Sequence, residues 1–277
     1  MRYVFFGSPE FASIILKRLI DGGYPPIAVI TNPDRPQGRK HALTPPPAKV
    51  VARENNITVL QPEKLSADVF NDFKDCDLFL VAAYSKIIPE DIISMPRLGT
   101  IGVHPSLLPK FRGASPIQYT ILAGEKETGT TLFLIDEKVD HGPIFAQKGG
   151  VSVDDKYFND LTKELADVSA GLLLETLRDI VDGKITPLPQ NEAEVTLTKK
   201  IKTDDGFASE EELVSAQSGT SFELAKKINR MIHAFNPDPG VYTIKDGKRM
   251  KILKSSIKNG SLRLEIVQWE GKKPVSI

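Results

Sequence analysis

An α/β fold is what this 277-residue sequence predicts, with a Rossmann-like, open and mostly parallel sheet followed by a small C-terminal β-barrel-like (OB-like) domain. Three observations carry the prediction. Short β-branched and aromatic runs alternate with helical patterns through the first two thirds of the chain. A polar, proline-containing stretch, PLPQNEAEVTLTKK at 187–200, interrupts that rhythm. Beyond it a single amphipathic helix is followed by closely spaced strand patterns and glycine-containing turns.

Each element follows from its local pattern. RYVFF (2–6), IAVIT (27–31), ITVLQ (57–61), DLFLVAA (77–83) and TIGV (100–103) are apolar without strict alternation and too short for helices, as in strands covered on both faces. EFASIILKRLI (10–20), PAKVVAREN (47–55) and ADVFNDF (67–73) lie between them with helical spacing. TGTTLFLID (128–136) and PIFAQKGG (143–150) form a hairpin across the turn at 136–142. A helix over 155–181 carries Phe158, Leu161, Leu165, Val168 and Leu172 at steps of three and four, and Gly183 stops it. SFELAKKINRMIHAF (221–235) is the amphipathic helix, and GVYTI (240–244), RMKILKSS (249–256) and LRLEIVQW (262–269) are the strands after it. The expected division is therefore a first domain at 1–184, a linker at 185–202 and a C-terminal domain at 203–277.

Composition excludes several classes. With 40% hydrophobic and 26% charged residues the chain is neither disordered nor fibrous. Its longest apolar run, 78–84, is too short to cross a bilayer, and Pro9 and Glu10 interrupt the apolar start that would otherwise look like a signal peptide. A cytoplasmic protein is expected. Cys76 is the single cysteine and the histidines are dispersed at 41, 104, 141 and 233, so no metal centre is expected. The first strand-to-helix turn, FFGSPEF, has one glycine and places Glu10 where a pyrophosphate would sit, which argues against a dinucleotide, and there is no phosphate-binding GxxxxGK[ST] run. Residues 199–277 hold 15 Lys and Arg against 10 Asp and Glu, a net +5 that leaves the rest of the neutral chain at −5. Such a basic C-terminal part is either a solvated face or a surface for a polyanion.

The chemistry centres on His104, which closes a strand and is followed by Pro105, a residue that cannot extend the ladder. In doubly wound sheets ligands bind beyond the carboxyl ends of strands, and a histidine there can move protons at neutral pH. A histidine alone at a strand end is more often structural, so a partner decides. Asp140, in EKVDHGPI, is the candidate partner, since a carboxylate beside an imidazole fixes its tautomer. His141 is a rival that competes with Asp140 for direction. SLLPKFRG (106–113) is a stiff loop in which Lys110 and Arg112 offer charge and Leu107 and Leu108 offer apolar contact to something flat. In the proline-bounded segment 33–49, Arg35, Arg39, Lys40 and His41 can reach phosphates, as can Lys248, Arg249, Lys251 and Lys254 on a strand alternating with Met250 and Ile252; a plain surface loop and a lysine-protected edge strand are the ordinary alternatives.

HPSLLPKFRGASPIQ together with VDHGPI resembles the signature of the folate-dependent formyltransferases. VFFGSPEFA, TNPDRPQGRKHALTPPPAK and AFNPDPGVYTIKDGKRMKIL narrow the resemblance to the methionyl-tRNA formyltransferases, over residues 3 to 274. The resemblance implies a metal-free enzyme, expected as a monomer. It would move a formyl group from 10-formyltetrahydrofolate, a co-substrate, to the methionyl amine of initiator tRNA for translation initiation. It also implies catalytic roles for His104 and Asp140, folate contacts at Ser106, Leu107, Leu108 and Pro109, and a tRNA contact at Arg39 in the 33–49 loop, to which Arg35, Lys40, Lys248, Arg249 and Lys251 are added as tRNA-contact candidates by their charge. The family's third catalytic position, an asparagine two residues before the histidine, is Gly102 here. A water or another polar group in place of the amide, reduced activity, and a tRNA-binding protein that no longer catalyses are the readings this leaves, with an amino-sugar-nucleotide N-formyltransferase as a further alternative.

Overall fold

The computed structural model describes residues 1–37 and 42–277. Arg39, Lys40 and His41 lie outside the described residues. Two compact units emerge: one of Met1–Arg112, Gly129–Val151 and Thr162–Leu197, the other of Gly113–Thr128, Ser152–Leu161 and Thr198–Ile277. Segments 113–128 and 152–161 thus join the second unit although they precede residue 184.

In the first unit the chain runs β1 (Tyr3–Phe6), α1 (Glu10–Asp21), β2 (Ala28–Ile30), β3 (Arg35–Gln37), β4 (Ala42–Thr44), α2 (Pro47–Glu54), β5 (Thr58–Leu60), β6 (Leu78–Ala82), α3 (Glu90–Ile93) and β7 (Thr100–His104). β8 (Arg112–Gly113) leads into α4 (Pro116–Ala123), which belongs to the second unit, and the chain continues with β9 (Glu127–Leu134), β10 (Ile144–Ser152), α5 (Phe158–Val181) and β11 (Leu197–Thr198). Seven strands form one sheet in the order β10-β9-β7-β6-β1-β2-β5. β7, β6, β1, β2 and β5 are parallel, and β9 runs antiparallel beside β7. The expected doubly wound sheet is therefore present, with its order reversing between β1 and β6.

The core explains the apolar runs. Phe6 stacks on Phe70 at 5.6 Å and meets Phe79 at 5.4 Å on one face, while α1 turns Phe11, Ile15, Leu16 and Leu19 inward at helical spacing. ADVFNDF winds as a 3₁₀ turn over Ala67–Phe73 instead of an α-helix. Its Asp and Asn side chains favour local backbone bonds, and the threefold spacing brings Phe70 and Phe73 to one side at 6.3 Å. The stretch expected as linker is laid along the first unit: Leu188 bridges Ile144 and β11 pairs with β8. That pairing satisfies backbone groups which its polar composition would have left to water.

The second unit contains α6 (Glu210–Ser218), α7 (Phe222–Phe235) and a four-stranded antiparallel sheet of β12 (Val241–Lys245), β13 (Lys248–Lys258), β14 (Ser261–Trp269) and β15 (Val275–Ser276). Both helices pack on this sheet. The pattern reading passes over α6, although Ser209 and Glu212 make a reciprocal capping box there. Along β13 simple alternation would put Lys248 and Lys254 on the buried side with Met250 and Ile252. Lys248 escapes at the strand end, and a bulge between Ile252 and Ser255 turns Lys254 outward to pair with Glu265 at 3.2 Å. The basic face thus consists of Arg249 and Lys251, with the Arg249 guanidinium 3.6 Å from the ring centre of Tyr242.

His233 on α7 stacks on Tyr157 at 4.1 Å, and its Nε2 is buried with no hydrogen-bond partner among the described residues. Burial holds its pKa below the ordinary 6.5, against the opposing effect first of the Ser255 backbone and then of the Asp155 carboxylate. The folded protein therefore binds this proton less readily than the unfolded chain. Its contribution to stability is full above pH 6.5 and is lost as the pH falls through the folded value. Thermal unfolding between pH 8 and 5.5 should show that loss, with a slope of at most ~1.4 kcal/mol per pH unit from one proton. His233→Phe, which stacks but cannot titrate, should flatten it; an unchanged slope would assign it to other groups.

Candidate active site

His104 ends β7, next to the antiparallel β9, and is 5% exposed. Its Nε2–H donates to the Phe111 carbonyl at 2.9 Å, which fixes a proton on that nitrogen, and its Nδ1 lies 3.5 Å from Asp140 Oδ2. The pairing expected between these two residues is therefore present. Asp140 sits in the turn between β9 and β10 with φ +49°, a left-handed conformation that Asp tolerates better than most residues. Gln190 holds this turn from the supposed linker: its Nε2 donates to the carbonyls of Asp140 and Gly142 at 2.9 and 2.8 Å. Gly142 admits no side chain, because a Cβ there would stand 1.7 Å from the Leu134 carbonyl oxygen.

The loop after His104 is fixed from within. Thr131 Oγ1 donates to the Ser106 carbonyl at 2.7 Å and accepts from the Leu108 amide at 3.0 Å. Gln147 Nε2 bridges Thr131 Oγ1 and the Leu108 carbonyl at 2.9 and 2.8 Å, and the Ser106 hydroxyl donates to the Lys110 carbonyl at 2.7 Å. Leu108 is buried, Leu107 and Pro109 are half-buried, and the Leu108–Pro109 peptide is cis. Ser106, Leu107, Leu108 and Pro109 thus form one preorganised edge beside His104.

Arg112, expected to offer charge to a ligand, is instead buried and spent inside the protein. Its guanidinium donates to Gln190 Oε1 at 2.8 Å and to Glu192 Oε1 at 2.7 Å, and this bond holds the Glu192 carboxyl below the usual carboxylate range. His141 belongs to the same strut, with Nδ1 2.6 Å from Asp136 Oδ2 and Nε2 3.7 Å from Glu192. The rival histidine is therefore paired with other carboxylates, while Asp140 faces His104. Gln190, Gln147 and Thr131 carried no signal in the sequence, since each acts through partners distant along the chain.

Gly102 lies opposite Phe133 in the β7–β9 register. A Cβ on Gly102 would stand 2.4 and 2.6 Å from Cε1 and Cζ of Phe133 and 3.1 Å from Ile135 Cγ1. An aromatic ring thus fills the place where a side chain at this position would begin.

The segment 33–49, expected as a long loop, includes the β3–β4 ribbon, with Arg35 exposed at its base opposite Thr44. Lys49 Nζ is buried against Asp34 at 2.7 and 2.8 Å and Gln61 Oε1 at 2.6 Å, and Gln61 Nε2 returns to the Asn32 carbonyl at 2.6 Å. This cluster ties both ends of the ribbon to the end of β5, and the Lys49 ammonium holds the Asp34 carboxyl below its ordinary range. Among the described residues no three His, Cys, Asp or Glu gather as metal ligands would, and no helix is long and apolar enough to cross a membrane.

The formyl transferase family matches residues 1–177, and the formyl transferase C-terminal domain family matches residues 222–261. A methionyl-tRNA formyltransferase of Halalkalibacterium halodurans is 39% identical over 255 residues, covering 91% of this chain and 77% of that protein. One from Kosmotoga olearia is 33% identical over 305 residues, covering 100% of this chain and 94% of its own. Among solved structures, the N-formyltransferase of Helicobacter canadensis in complex with folinic acid and dTDP-3-aminofucose superposes with a TM-score of 0.67 at 18% identity, covering 93% of this chain and 88% of that one, a likeness of fold. With a formyl transferase match over most of its length and relatives of this identity along it, the chain belongs to the methionyl-tRNA formyltransferase family.

Proposed function

We propose that this protein transfers the formyl group of 10-formyltetrahydrofolate to the amino group of methionyl initiator tRNA. The observation that carries the reading is the His104–Asp140 pair at the carboxyl end of β7, in a chain 39% identical to a methionyl-tRNA formyltransferase. The folate supplies the formyl carbon on its N10. In the forward reaction the methionyl amine sheds a proton and bonds to that carbon, the carbon–N10 bond breaks, and N10 takes up a proton. His104 Nε2–H, which donates to the Phe111 carbonyl in the resting site, serves as the donor to the formyl oxygen as it gains negative charge. Asp140 orients the imidazole and stabilises its charge when it carries two protons. Ser106, Leu107, Leu108 and Pro109 fit a folate edge, because the bonds from Thr131 and Gln147 hold their backbone before any ligand arrives. For tRNA, Arg35 at the base of the ribbon, Arg39 and Lys40 a few residues later in the sequence, and Lys248, Arg249 and Lys251 on β13 neutralise phosphates. Residues 1–184 would carry catalysis and 203–277 would help hold tRNA, on either side of 185–202.

Formylation of methionyl initiator tRNA with 10-formyltetrahydrofolate tests the reading. Turnover on the charged tRNA, with none on a dTDP-amino sugar, is the expected result. Salt-sensitive tRNA binding without turnover would leave a binding protein, and turnover on the sugar alone would move the enzyme to the other class. Gln190→Ala removes both bonds to the Asp140 turn. It should lower kcat by roughly tenfold or more through displacement of Asp140, with the KM for folate little changed; a wild-type kcat would show that the turn holds itself.

A further inference from the structure

The structure assigns Phe133 as a positioning residue for His104, lodged in a notch that exists because residue 102 is glycine. The inference rests on His104 being the reacting histidine. β7 and β9 put Gly102 directly opposite Phe133, and His104, two residues on, lies on the same sheet face as Gly102. The Phe133 ring crosses the place of the missing side chain, with Cε1 and Cζ 2.4 and 2.6 Å from where a Cβ would stand. From there it meets the imidazole edge to face, with centroids 6.5 Å apart and planes at 88°. Both residues are buried, at 3% and 5% exposure.

His104 needs such a wall. Of its two nitrogens one is held by a bond of ordinary length, to the Phe111 carbonyl, and the other faces Asp140 at 3.5 Å, beyond good hydrogen-bond distance. Two polar contacts of this kind do not by themselves stop the ring from swinging about its Cα–Cβ bond. A flat apolar neighbour at right angles does, by excluding both the alternative rotamers and the water that would solvate them. Ring and glycine are therefore one device: any side chain at 102 pushes Phe133, and Phe133 pushes the imidazole.

A double-mutant cycle with a third background tests this. Phe133→Ala should lower kcat by roughly tenfold to a hundredfold, the scale of a small misplacement of a catalytic group, with KM for both substrates within about twofold. Gly102→Ala should cost a similar factor when Phe133 is present and less than about twofold in the Phe133→Ala background, where its Cβ meets no ring. In the His104→Ala background, Phe133→Ala should cost nothing further, since residues acting as a unit are not additive. Thermal unfolding of each variant separates misfolding from misplacement, and Phe133→Leu replaces the alanine variant if that one does not fold. A kcat for Phe133→Ala within twofold of wild type, additive effects of Gly102→Ala and Phe133→Ala, or an undiminished effect of Phe133→Ala without His104 would each overturn the assignment. An active His104→Ala enzyme would instead refute the role of the histidine, leaving the unfolding temperatures of the cycle to judge the Gly102–Phe133 interlock by itself.

Discussion

His104→Ala is expected to lower kcat for formyl transfer by roughly 10²- to 10⁴-fold, the range contributed by a positioned proton donor or acceptor. The variant removes the buried imidazole whose Nε2–H stands at the end of β7 and whose Nδ1 faces Asp140. Gly102 offers no side-chain donor, and the ring of Phe133 stands where a Cβ at that position would begin. Folate binding should change little, because the loop at 106–109 is held by Thr131 and Gln147 rather than by the histidine. Single-turnover formylation together with folate titration checks both parts. A variant that keeps kcat within tenfold of wild type would shift the proton donor to another group.

Asp140→Asn is the second large effect, with kcat expected to fall by roughly 10²-fold or more and the fold intact. Asparagine and aspartate both tolerate the left-handed backbone that this position adopts at φ +49°, so the substitution removes the charge facing Nδ1 and leaves the turn in place. Asp140→Ala should differ in a measurable way. It loses the charge and also forces a Cβ without a polar tip into the left-handed region, which adds a stability cost of about 1–2 kcal/mol. Thermal unfolding should therefore rank wild type and Asp140→Asn together and Asp140→Ala below them, while kcat ranks both variants together below wild type. If Asp140→Asn is fully active, the carboxylate has no electrostatic part in the reaction and the aspartate serves the turn alone.

The strands, α1, α5 and α7 were legible because their information is local. Spacing of Phe11, Ile15 and Leu19, or the unbroken apolar run at 78–84, dictates helix or strand wherever a face must be buried. Local reading was weaker where two local preferences compete, as in the 3₁₀ turn at 67–73, and where a capping box is short, as at α6. The pair of His104 and Asp140 was also within reach, as the one residue of each motif that matches the family's chemistry.

By itself the sequence determined the α/β class, the place of the histidine at a strand end, and the family. Tertiary structure alone decided which side chains gather around that histidine and the Asp140 turn. Gln190 reaches the Asp140 turn across 50 residues, Arg112 turns inward to Gln190 and Glu192 instead of toward a ligand, and β7–β9 register sets Phe133 over Gly102. The physical reason is common to all three. Periodicity reports how a segment meets the core as a whole, whereas the partner of one polar atom or the filling of one notch depends on register and on which distant backbone passes within a few ångströms.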